Sequence, residues 1–217
     1  MEPWPIFPIV YEINTWVWLH GLSHRLGHPV TLRDVPQDEL ARLVSYRFDA
    51  VWLMGVWKRS PAARAVARED PRLHPGYQVA LPDWSLEDVV GSPFAVLDYH
   101  VDPALGGDEA LAVLRERLRR LGLRLILDFV PNHLAMDHSW LAEQPERLLQ
   151  ADEDALAQDP HAYFRSDASD RPLVFAHSRD PYFPAWSDTV QLDYRRPETR
   201  HAMTGTLLAI AERCDGV

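Results

Sequence analysis

Three polar residues, Asp128, Asn132 and His133, follow directly after an apolar run of strand length. The run covers residues 123–127 and is rich in Leu and Ile, which is typical of a strand buried on both faces of a parallel sheet. A carboxylate, an amide and an imidazole at the carboxyl end of such a strand can bind a ligand through hydrogen bonds. We therefore expect a binding or catalytic site at this end of the strand.

Two other interpretations of these residues stay open at this point. Asn and Asp favour turns, so the three side chains could be ordinary loop residues. Alternatively, His133 and His138 together with Asp128 or Asp137 could coordinate zinc or iron, since imidazole and carboxylate suit both metals. The spacing of five residues between the two histidines matches no standard helical metal site.

The elements around the site alternate between strand and helix, which predicts βα units and a parallel sheet. We expect a first helix over residues 36–46 with Leu40, Leu43 and Val44 facing the sheet, and a strand at Ala50–Met54. A second helix begins near Asp108 and stops at Gly122.

A third helix begins near Pro197 and presents Met203, Leu207 and Ile210 on one stripe. Two connections, residues 57–103 and 134–189, are much longer than the usual loops of about 2 to 6 residues. The second contains a predicted short helix over residues 140–150. We expect functional residues in both connections.

Composition limits the class of partner. The chain has 217 residues, 47% of them hydrophobic, and a net charge of −10, which disfavours nucleic acid and anionic membranes as partners. A neutral substrate such as a sugar is compatible with this charge. The single cysteine, Cys214, the lack of a signal-peptide pattern and the lack of a membrane-spanning stretch predict a cytoplasmic protein.

The sequence LILDFVPNH at residues 125–133 resembles the first conserved region of the α-amylase superfamily, glycoside hydrolase family 13. Segments starting at Tyr11, Phe48 and Gly91 are similar to further family segments in the same order. The resemblance implies an α/β fold, a (β/α)8 TIM barrel. The chain would hold only the first three βα units and the start of the fourth strand. Residues 1–217 would then be one partial catalytic barrel, and residues 134–189 a long loop or small inserted subdomain after the third strand.

The resemblance also implies roles for individual residues. His133 matches the histidine that hydrogen-bonds the 6-hydroxyl of the reacting sugar, and Asp128 matches the aspartate that holds the arginine before the nucleophile. Phe94 aligns with a tyrosine whose ring lies under the same sugar, so the ring is kept here and the hydroxyl is lost. Three neighbouring residues are expected to support these groups: Asn132, Asp98 and Tyr99.

No catalytic residue is expected within the chain. Retaining glycosidases need two carboxyl groups about 5 to 5.5 Å apart, and by resemblance both would follow Val217. The chain alone is therefore expected to be inactive and prone to association through an open sheet edge. Many family members use an Asp for calcium where this chain has Gln191, a poorer ligand, so we predict no metal and no cofactor.

The expected function of the parent protein is a retaining α-glycosidase. Its substrate would be a maltooligosaccharide, starch, glycogen or a small α-glucoside. One alternative is a transglycosidase of the same superfamily that converts sucrose or trehalose, and another is a noncatalytic sugar-binding half-barrel. The sequence leaves the substrate, the balance of hydrolysis and transfer, and the oligomeric state open.

Overall fold

The computed structural model describes residues 3–217, so the first two residues of the predicted domain 1–217 lie outside the described part. Its strands are β1 (Val10–Asn14), β2 (Ala50–Met54), β3 (Trp57–Arg59), β4 (Val96–Val101), β5 (Arg124–Leu127), β6 (His133–Ala135), β7 (Gln150–Ala151), β8 (Tyr163–Ser166), β9 (Leu173–Ala176) and β10 (Thr189–Gln191). Its helices are α1 (Thr15–Leu26), α2 (Gln37–Ser45), α3 (Pro61–Glu69), α4 (His74–Ala80), α5 (Gly107–Arg120), α6 (Trp140–Glu143), α7 (Glu153–Gln158) and α8 (Pro197–Ala211). The described residues form two compact units, a first unit (residues 3–58, 99–129 and 205–217) and a second unit (residues 59–98 and 130–204).

The first unit contains a parallel sheet in the order β1-β2-β5. Val51 lies opposite Tyr11 on one side and opposite Leu125 on the other. On the far side of β5, Gly216 forms an isolated parallel bridge with Ile126. The chain thus begins a further parallel pairing at its carboxyl end, where the sequence predicted the start of another strand.

Two helices of the first unit match the sequence prediction closely. In α2, Leu40 and Leu43 are buried, because apolar residues three and four apart share one face of a helix. Val44 was also expected to face the sheet, but its side chain is 38% exposed, so that prediction is wrong. In α5 the buried residues recur at helical spacing and include Leu111, Leu114 and Leu118.

Helix α1 was not predicted, since the first helix was expected over residues 36–46. The side chain of Asn14 accepts a hydrogen bond from the main-chain N–H of Val17 and so caps the start of the helix. Gly27 ends it in the left-handed conformation, with its N–H donating to the carbonyl of Ser23. These two local signals could have identified the helix.

Exposed apolar side chains lie on β1 and on the residues that precede it. They are Ile6, Phe7, Ile9, Val10 and Tyr11, with Ile6 and Phe7 each 88% exposed. A parallel edge strand with apolar neighbours favours association. The expected tendency of the isolated chain to associate stays a prediction.

Both long connections contain regular structure in the second unit, of which the sequence predicted only a short helix over residues 140–150. The first holds α3 and α4, and the Ser60 hydroxyl caps α3 by accepting from the N–H of Ala63. The second holds a three-stranded antiparallel sheet in the order β7-β9-β8 and the antiparallel pair β6 and β10. The predicted helix over residues 140–150 is only the four-residue α6.

Helix α8 begins at the predicted Pro197 and passes through Gly205 without a break. Met203 and Ile210 are buried, whereas Leu207 is only partly so. Within residues 3–217 no helix combines the length and the apolar character that crossing a membrane requires.

Candidate functional site

Asp128 follows β5 directly, and its carboxylate is buried in the first unit with 6% exposure. One carboxylate oxygen accepts a hydrogen bond from Trp52 Nε1 at 2.6 Å, and the other accepts from the main-chain N–H of Gly55 at 2.5 Å. The main-chain carbonyl of Asp128 accepts from Trp57 Nε1 at 2.9 Å. We call these four residues the Asp128 cluster.

Gly55 enables this geometry because its φ is +77°, a left-handed conformation that favours glycine. The chain turns there, immediately after β2, and directs an N–H at the carboxylate. Tyr99, a predicted supporting residue, lies edge-on to Trp57 with the ring centroids 5.5 Å apart and also contacts Phe129. Tyr99 therefore belongs to the aromatic surroundings of the cluster.

The charge of Asp128 is not balanced by a cation. In the described part of the chain no ion pair involves this carboxylate, and both of its hydrogen-bond donors are neutral. Burial raises the pKa of Asp128, and the negative charge of Glu12 raises it further, while the bonds from Gly55 and Trp52 lower it. The carboxylate has its hydrogen bonds but lacks an opposite charge.

His133 lies on β6 in the second unit, 7% exposed and paired with Gln191 of β10. Its Nε2 lies 3.2 Å from the main-chain oxygen of Phe94. On the other side of the ring, Nδ1 lies 3.3 Å from both Ser178 Oγ and Asn132 Nδ2. We call these five residues the His133 cluster.

An aromatic ring lies next to His133. Trp186 meets the imidazole edge-on with the ring centroids 5.4 Å apart, and the side chain of Phe94 is 44% exposed. Burial lowers the pKa of His133, and the Phe94 carbonyl, which favours the protonated ring, raises it by a smaller amount. A neutral imidazole beside an exposed aromatic ring can present both a hydrogen-bonding atom and an apolar face to a ligand.

Asn132, another predicted supporting residue, connects His133 to Gln191. Its Nδ2 donates to Ser178 Oγ at 2.6 Å, while its main-chain oxygen and Oδ1 accept from Gln191 Nε2 at 2.8 and 3.3 Å. The Gln191 amide therefore directs a hydrogen-bond donor at the two Asn132 oxygens, which a cation would need as ligands. These residues do not fit a calcium ion, which requires six to eight oxygen ligands.

Residues 3–217 contain no group of three or more His, Cys, Asp or Glu side chains that could hold a metal ion. The alternative of a zinc or iron site at His133 and His138 therefore has no support from this part of the chain. His138 Nδ1 instead accepts from the main-chain N–H of Trp140. Burial lowers the pKa of His138, and the charge of Asp98 partly opposes this effect.

The structure thus brings three of the predicted site residues, Phe94, Asn132 and His133, into contact in the second unit. Asp98 is exposed there, and its charge acts on His138. Asp128 and Tyr99 lie in the first unit. The ligand roles of all six residues stay predictions.

Sequence reasoning missed the partners of these residues. Trp52 is half-buried and donates to Asp128, and neither this bond nor the contact of Ser178 with His133 was anticipated. Gly55 directly after a strand was a usable signal for a tight turn. Ser178 carries no comparable signal, because its contact with His133 spans 45 residues of sequence.

The alpha-amylase catalytic domain family matches residues 39–206, so the chain belongs to the α-amylase family, glycoside hydrolase family 13. No protein in a search of curated sequences matches the chain significantly.

Solved structures share the fold of this chain at low sequence identity. An α-amylase from Lactobacillus plantarum is 20% identical with a TM-score of 0.61, over 95% of this chain and 36% of its own. The α-glucosyl transfer enzyme XgtA is 16% identical with a TM-score of 0.62, over 95% of this chain and 34% of its own. A MutB mutant in complex with the substrate sucrose is 15% identical with a TM-score of 0.62, over 95% of this chain and 33% of its own.

The chain therefore spans about a third of the length of these structures, with 36%, 34% and 33% of them covered. The fold is an α/β fold that matches part of the (β/α)8 barrel of glycoside hydrolase family 13 enzymes. The structures named include an α-amylase and an α-glucosyl transfer enzyme.

Proposed function

We propose that the chain supplies the substrate-binding part of a retaining enzyme that acts on α-glucosidic bonds. The observation that carries this proposal is the contact between the Nε2 atom of His133 and the main-chain oxygen of Phe94, a residue whose side chain is exposed. Maltooligosaccharides, starch, glycogen or a small α-glucoside are the proposed substrates. The chain would be the first three βα units of the barrel and the start of the fourth strand, with residues 134–189 as a subdomain inserted after the third.

Phe94 and His133 have complementary roles in this proposal. The apolar face of a pyranose packs on the Phe94 ring, and a sugar hydroxyl hydrogen-bonds to the imidazole. The imidazole stays neutral near pH 7, since burial holds its pKa below the usual value of a histidine. A neutral ring binds a neutral sugar without the cost of burying a charge.

Asp128 has a supporting role. Its buried carboxylate is fixed by Trp52 and Gly55, and its charge is not balanced within the described residues. We propose that it binds the arginine that precedes the nucleophile, since a charge-assisted pair would fix the geometry of the catalytic carboxylates. The nucleophile and the general acid would lie outside residues 1–217.

A transglycosidase is the second candidate of the same class. Among the structures with this fold, XgtA is an α-glucosyl transfer enzyme and the MutB mutant is in complex with the substrate sucrose. Both candidates share the double-displacement chemistry and differ in whether water or a sugar accepts the glycosyl group. The third candidate is a noncatalytic sugar-binding protein.

Sugar binding by the chain tests the proposal directly. Maltotriose, sucrose and, as a β-linked control, cellotriose are titrated while the amide and side-chain NMR signals are followed. We expect maltotriose or sucrose to shift the signals of His133 and Trp186 and cellotriose to leave them unchanged. Equal shifts with all three sugars would contradict specificity for α-glucosidic bonds.

Two substitutions locate the binding site. Phe94→Ala is expected to weaken α-glucoside binding roughly 2- to 13-fold, as the loss of about 0.5–1.5 kcal/mol of ring packing predicts. Phe7→Ala is the matched control, because Phe7 is an exposed phenylalanine of the first unit. Equal effects of the two substitutions would remove Phe94 from the proposed site.

Activity separates the candidates. Residues 1–217 should not hydrolyse 4-nitrophenyl α-glucoside, and measurable hydrolysis would show that the carboxylates do lie within this chain. In the intact parent protein, release of glucose indicates a hydrolase and transfer to a second sugar indicates a transglycosidase. Binding without either reaction supports the noncatalytic candidate.

A further inference from the structure

The hydrogen bonds of the His133 cluster run in one direction, starting at Gln191. The side-chain nitrogen of Gln191 lies near three oxygens, at 2.8 Å from the main-chain oxygen and 3.3 Å from Oδ1 of Asn132, and at 3.3 Å from the oxygen of Leu192. Carbonyl oxygens only accept hydrogen bonds, so the nitrogen, and not the oxygen, of the Gln191 amide faces them. Oδ1 of Asn132 is therefore turned towards Gln191.

The Nδ2 atom of Asn132 must then face the other way, towards Ser178 Oγ at 2.6 Å and His133 Nδ1 at 3.3 Å. An amide nitrogen only donates, so Ser178 Oγ accepts from Asn132 and keeps its own proton for another partner. That partner is His133 Nδ1, at 3.3 Å from Ser178 Oγ.

Ser178 itself is held firmly. Its side chain is fully buried, its main-chain N–H donates to Thr189 Oγ1 at 3.2 Å, and its carbonyl accepts from the N–H of Trp186 at 2.8 Å. The hydroxyl can rotate, but its oxygen cannot move far. The direction of the bond to His133 therefore depends on what Asn132 donates.

The opposite end of the imidazole has the complementary partner. His133 Nε2 faces the main-chain oxygen of Phe94 at 3.2 Å, and this oxygen can only accept. Two donors thus face Nδ1 and one acceptor faces Nε2. The neighbours of a histidine decide which of its two nitrogens carries the proton.

We propose that Ser178 and Asn132 are positioning residues that hold His133 in the neutral form with its proton on Nε2. A substrate hydroxyl would then meet a hydrogen-bond donor at this ring and would share or replace the bond to Phe94. Only this last statement rests on the proposed function. The tautomer follows from the contacts within the protein.

The electrostatics agree with this arrangement. Protonation of Nδ1 would direct its N–H at the nitrogen of the Asn132 amide, which cannot accept it. Burial lowers the pKa of His133 and the Phe94 carbonyl raises it, and among the described residues no charged side chain shifts it.

The direct test is the nitrogen NMR spectrum of the histidines in the 217-residue chain without sugar. The signals of His133 are assigned by their loss in His133→Gln. We expect one neutral form, with a proton on Nε2 and none on Nδ1. A proton on Nδ1, or an equal mixture of the two tautomers, would overturn the proposal.

A substitution that replaces the donating amide of Asn132 by an acceptor tests the positioning role. Asn132→Asp replaces the amide that donates to Ser178 by a carboxylate that accepts, at nearly the same size. The Ser178 hydroxyl should then turn to Asp, Nδ1 of His133 should gain a proton, and the pKa of His133 should rise by about 1 unit or more. Gln150→Glu, an exposed change of the same chemistry in the second unit, should leave the His133 signals unchanged.

A second variant covers the case in which Asn132→Asp does not fold. Ser178→Ala leaves Nδ1 with one donor in place of two, the Asn132 amide nitrogen at 3.3 Å, so a detectable fraction with a proton on Nδ1 should appear. If folded Asn132→Asp or folded Ser178→Ala keeps the wild-type signals, Ser178 and Asn132 do not set the tautomer and the proposal is wrong.

This test is independent of the proposed function. If the tautomer is as expected but maltotriose and sucrose do not shift the His133 Nε2 signal, the positioning role stands and the sugar-binding role fails. If both sugars shift that signal but the proton is on Nδ1, the sugar-binding role stands and the positioning role fails.

Discussion

Asp128 and His133 lie in one short stretch of sequence, but the clusters around them differ in chemical completeness. His133 has donors facing one nitrogen and an acceptor facing the other, and a neutral ring needs nothing more. Asp128 has two donors for its two oxygens, but both are neutral, and its charge is not balanced within the described residues.

Asp215 is a carboxylate of the first unit whose charge is balanced by a cation. Asp215 accepts from Arg115 at 2.8 Å and from the main-chain N–H of Leu125 at 2.9 Å, so its charge and its hydrogen-bonding capacity are both satisfied. Each carboxylate oxygen of Asp128 accepts a hydrogen bond, but no cation among the described residues balances its charge. The residues of the second unit are sufficient to complete the hydrogen bonds of His133. Asp128, in contrast, is suited to a cationic partner that the described residues do not supply.

The largest expected effect is that of Asp128→Ala. The substitution leaves Trp52 Nε1 and the N–H of Gly55 without their acceptor, and unpaired buried donors cost about 1–3 kcal/mol each. Because removal of an unbalanced charge offsets part of this, we expect a net loss of about 1–3 kcal/mol in the free energy of unfolding, measured by urea denaturation. Asp34→Ala, at an exposed aspartate, should change it by less than about 0.5 kcal/mol.

The same variant has a predicted pH dependence. The pKa of Asp128 is higher in the folded chain than in the unfolded chain, so its contribution to stability is fully present below the unfolded value and is lost as the pH rises through the folded value. The destabilisation by Asp128→Ala should therefore be larger near pH 4 than near pH 7. A larger effect at pH 7 would show that the carboxylate has a cationic partner in the folded chain.

The second unit should respond to pH in the opposite direction. Burial lowers the pKa of His133, His138 and His177, so below about pH 6.5 the unfolded chain binds protons that the folded chain does not. The free energy of unfolding should fall as the pH drops below that value, by up to about 1.4 kcal/mol per pH unit for each histidine.

Urea denaturation at several pH values tests this expectation in two variants. His177→Gln should flatten the pH dependence, and His161→Gln, at an exposed histidine, should leave it unchanged. An unaltered slope in His177→Gln would mean that this ring is protonated without cost in the folded chain.

A smaller effect is expected at Gln191, where the amide donates to the two oxygens of Asn132. Gln191→Glu removes this donor and places a carboxylate against the oxygens, which should cost about 1–2 kcal/mol. Calcium should partly restore the melting temperature of this variant, since all the groups are then oxygen ligands, and should not affect the wild type.

Gln150→Glu serves as the control for added charge. A rise in the wild-type melting temperature at micromolar calcium would show that the native chain binds the ion. The prediction of no calcium site would then be wrong.

The smallest effect is expected for Phe94→Tyr, which adds a hydroxyl to a half-exposed ring. Stability should change by less than about 0.5 kcal/mol. Binding of maltotriose should become roughly 2- to 13-fold tighter if the hydroxyl gains a hydrogen bond of about 0.5–1.5 kcal/mol to the sugar. Phe7→Tyr should not change the affinity, and tighter binding in both variants would contradict a specific role for Phe94.

The sequence by itself determined the elements that local patterns specify. The strand at Ala50–Met54 and helices α2, α5 and α8 follow from apolar periodicity and their end signals, and Asp128 was placed correctly at the end of β5. These features depend on residues a few positions apart, which a sequence displays directly. The family also followed from a short motif and the order of four segments.

Only the tertiary structure decided which side chains meet. The Asp128 cluster joins residues 73 to 76 positions apart through Gly55 and Trp52, and the His133 cluster joins Phe94 and Ser178 across 39 and 45 positions. No periodicity encodes such contacts, because the first set depends on the pairing of β2 with β5 and the second on how the two long connections fold. The charge balance of Asp128 and the tautomer of His133 are therefore properties of the folded chain, set by which donors and acceptors folding brings within hydrogen-bond distance.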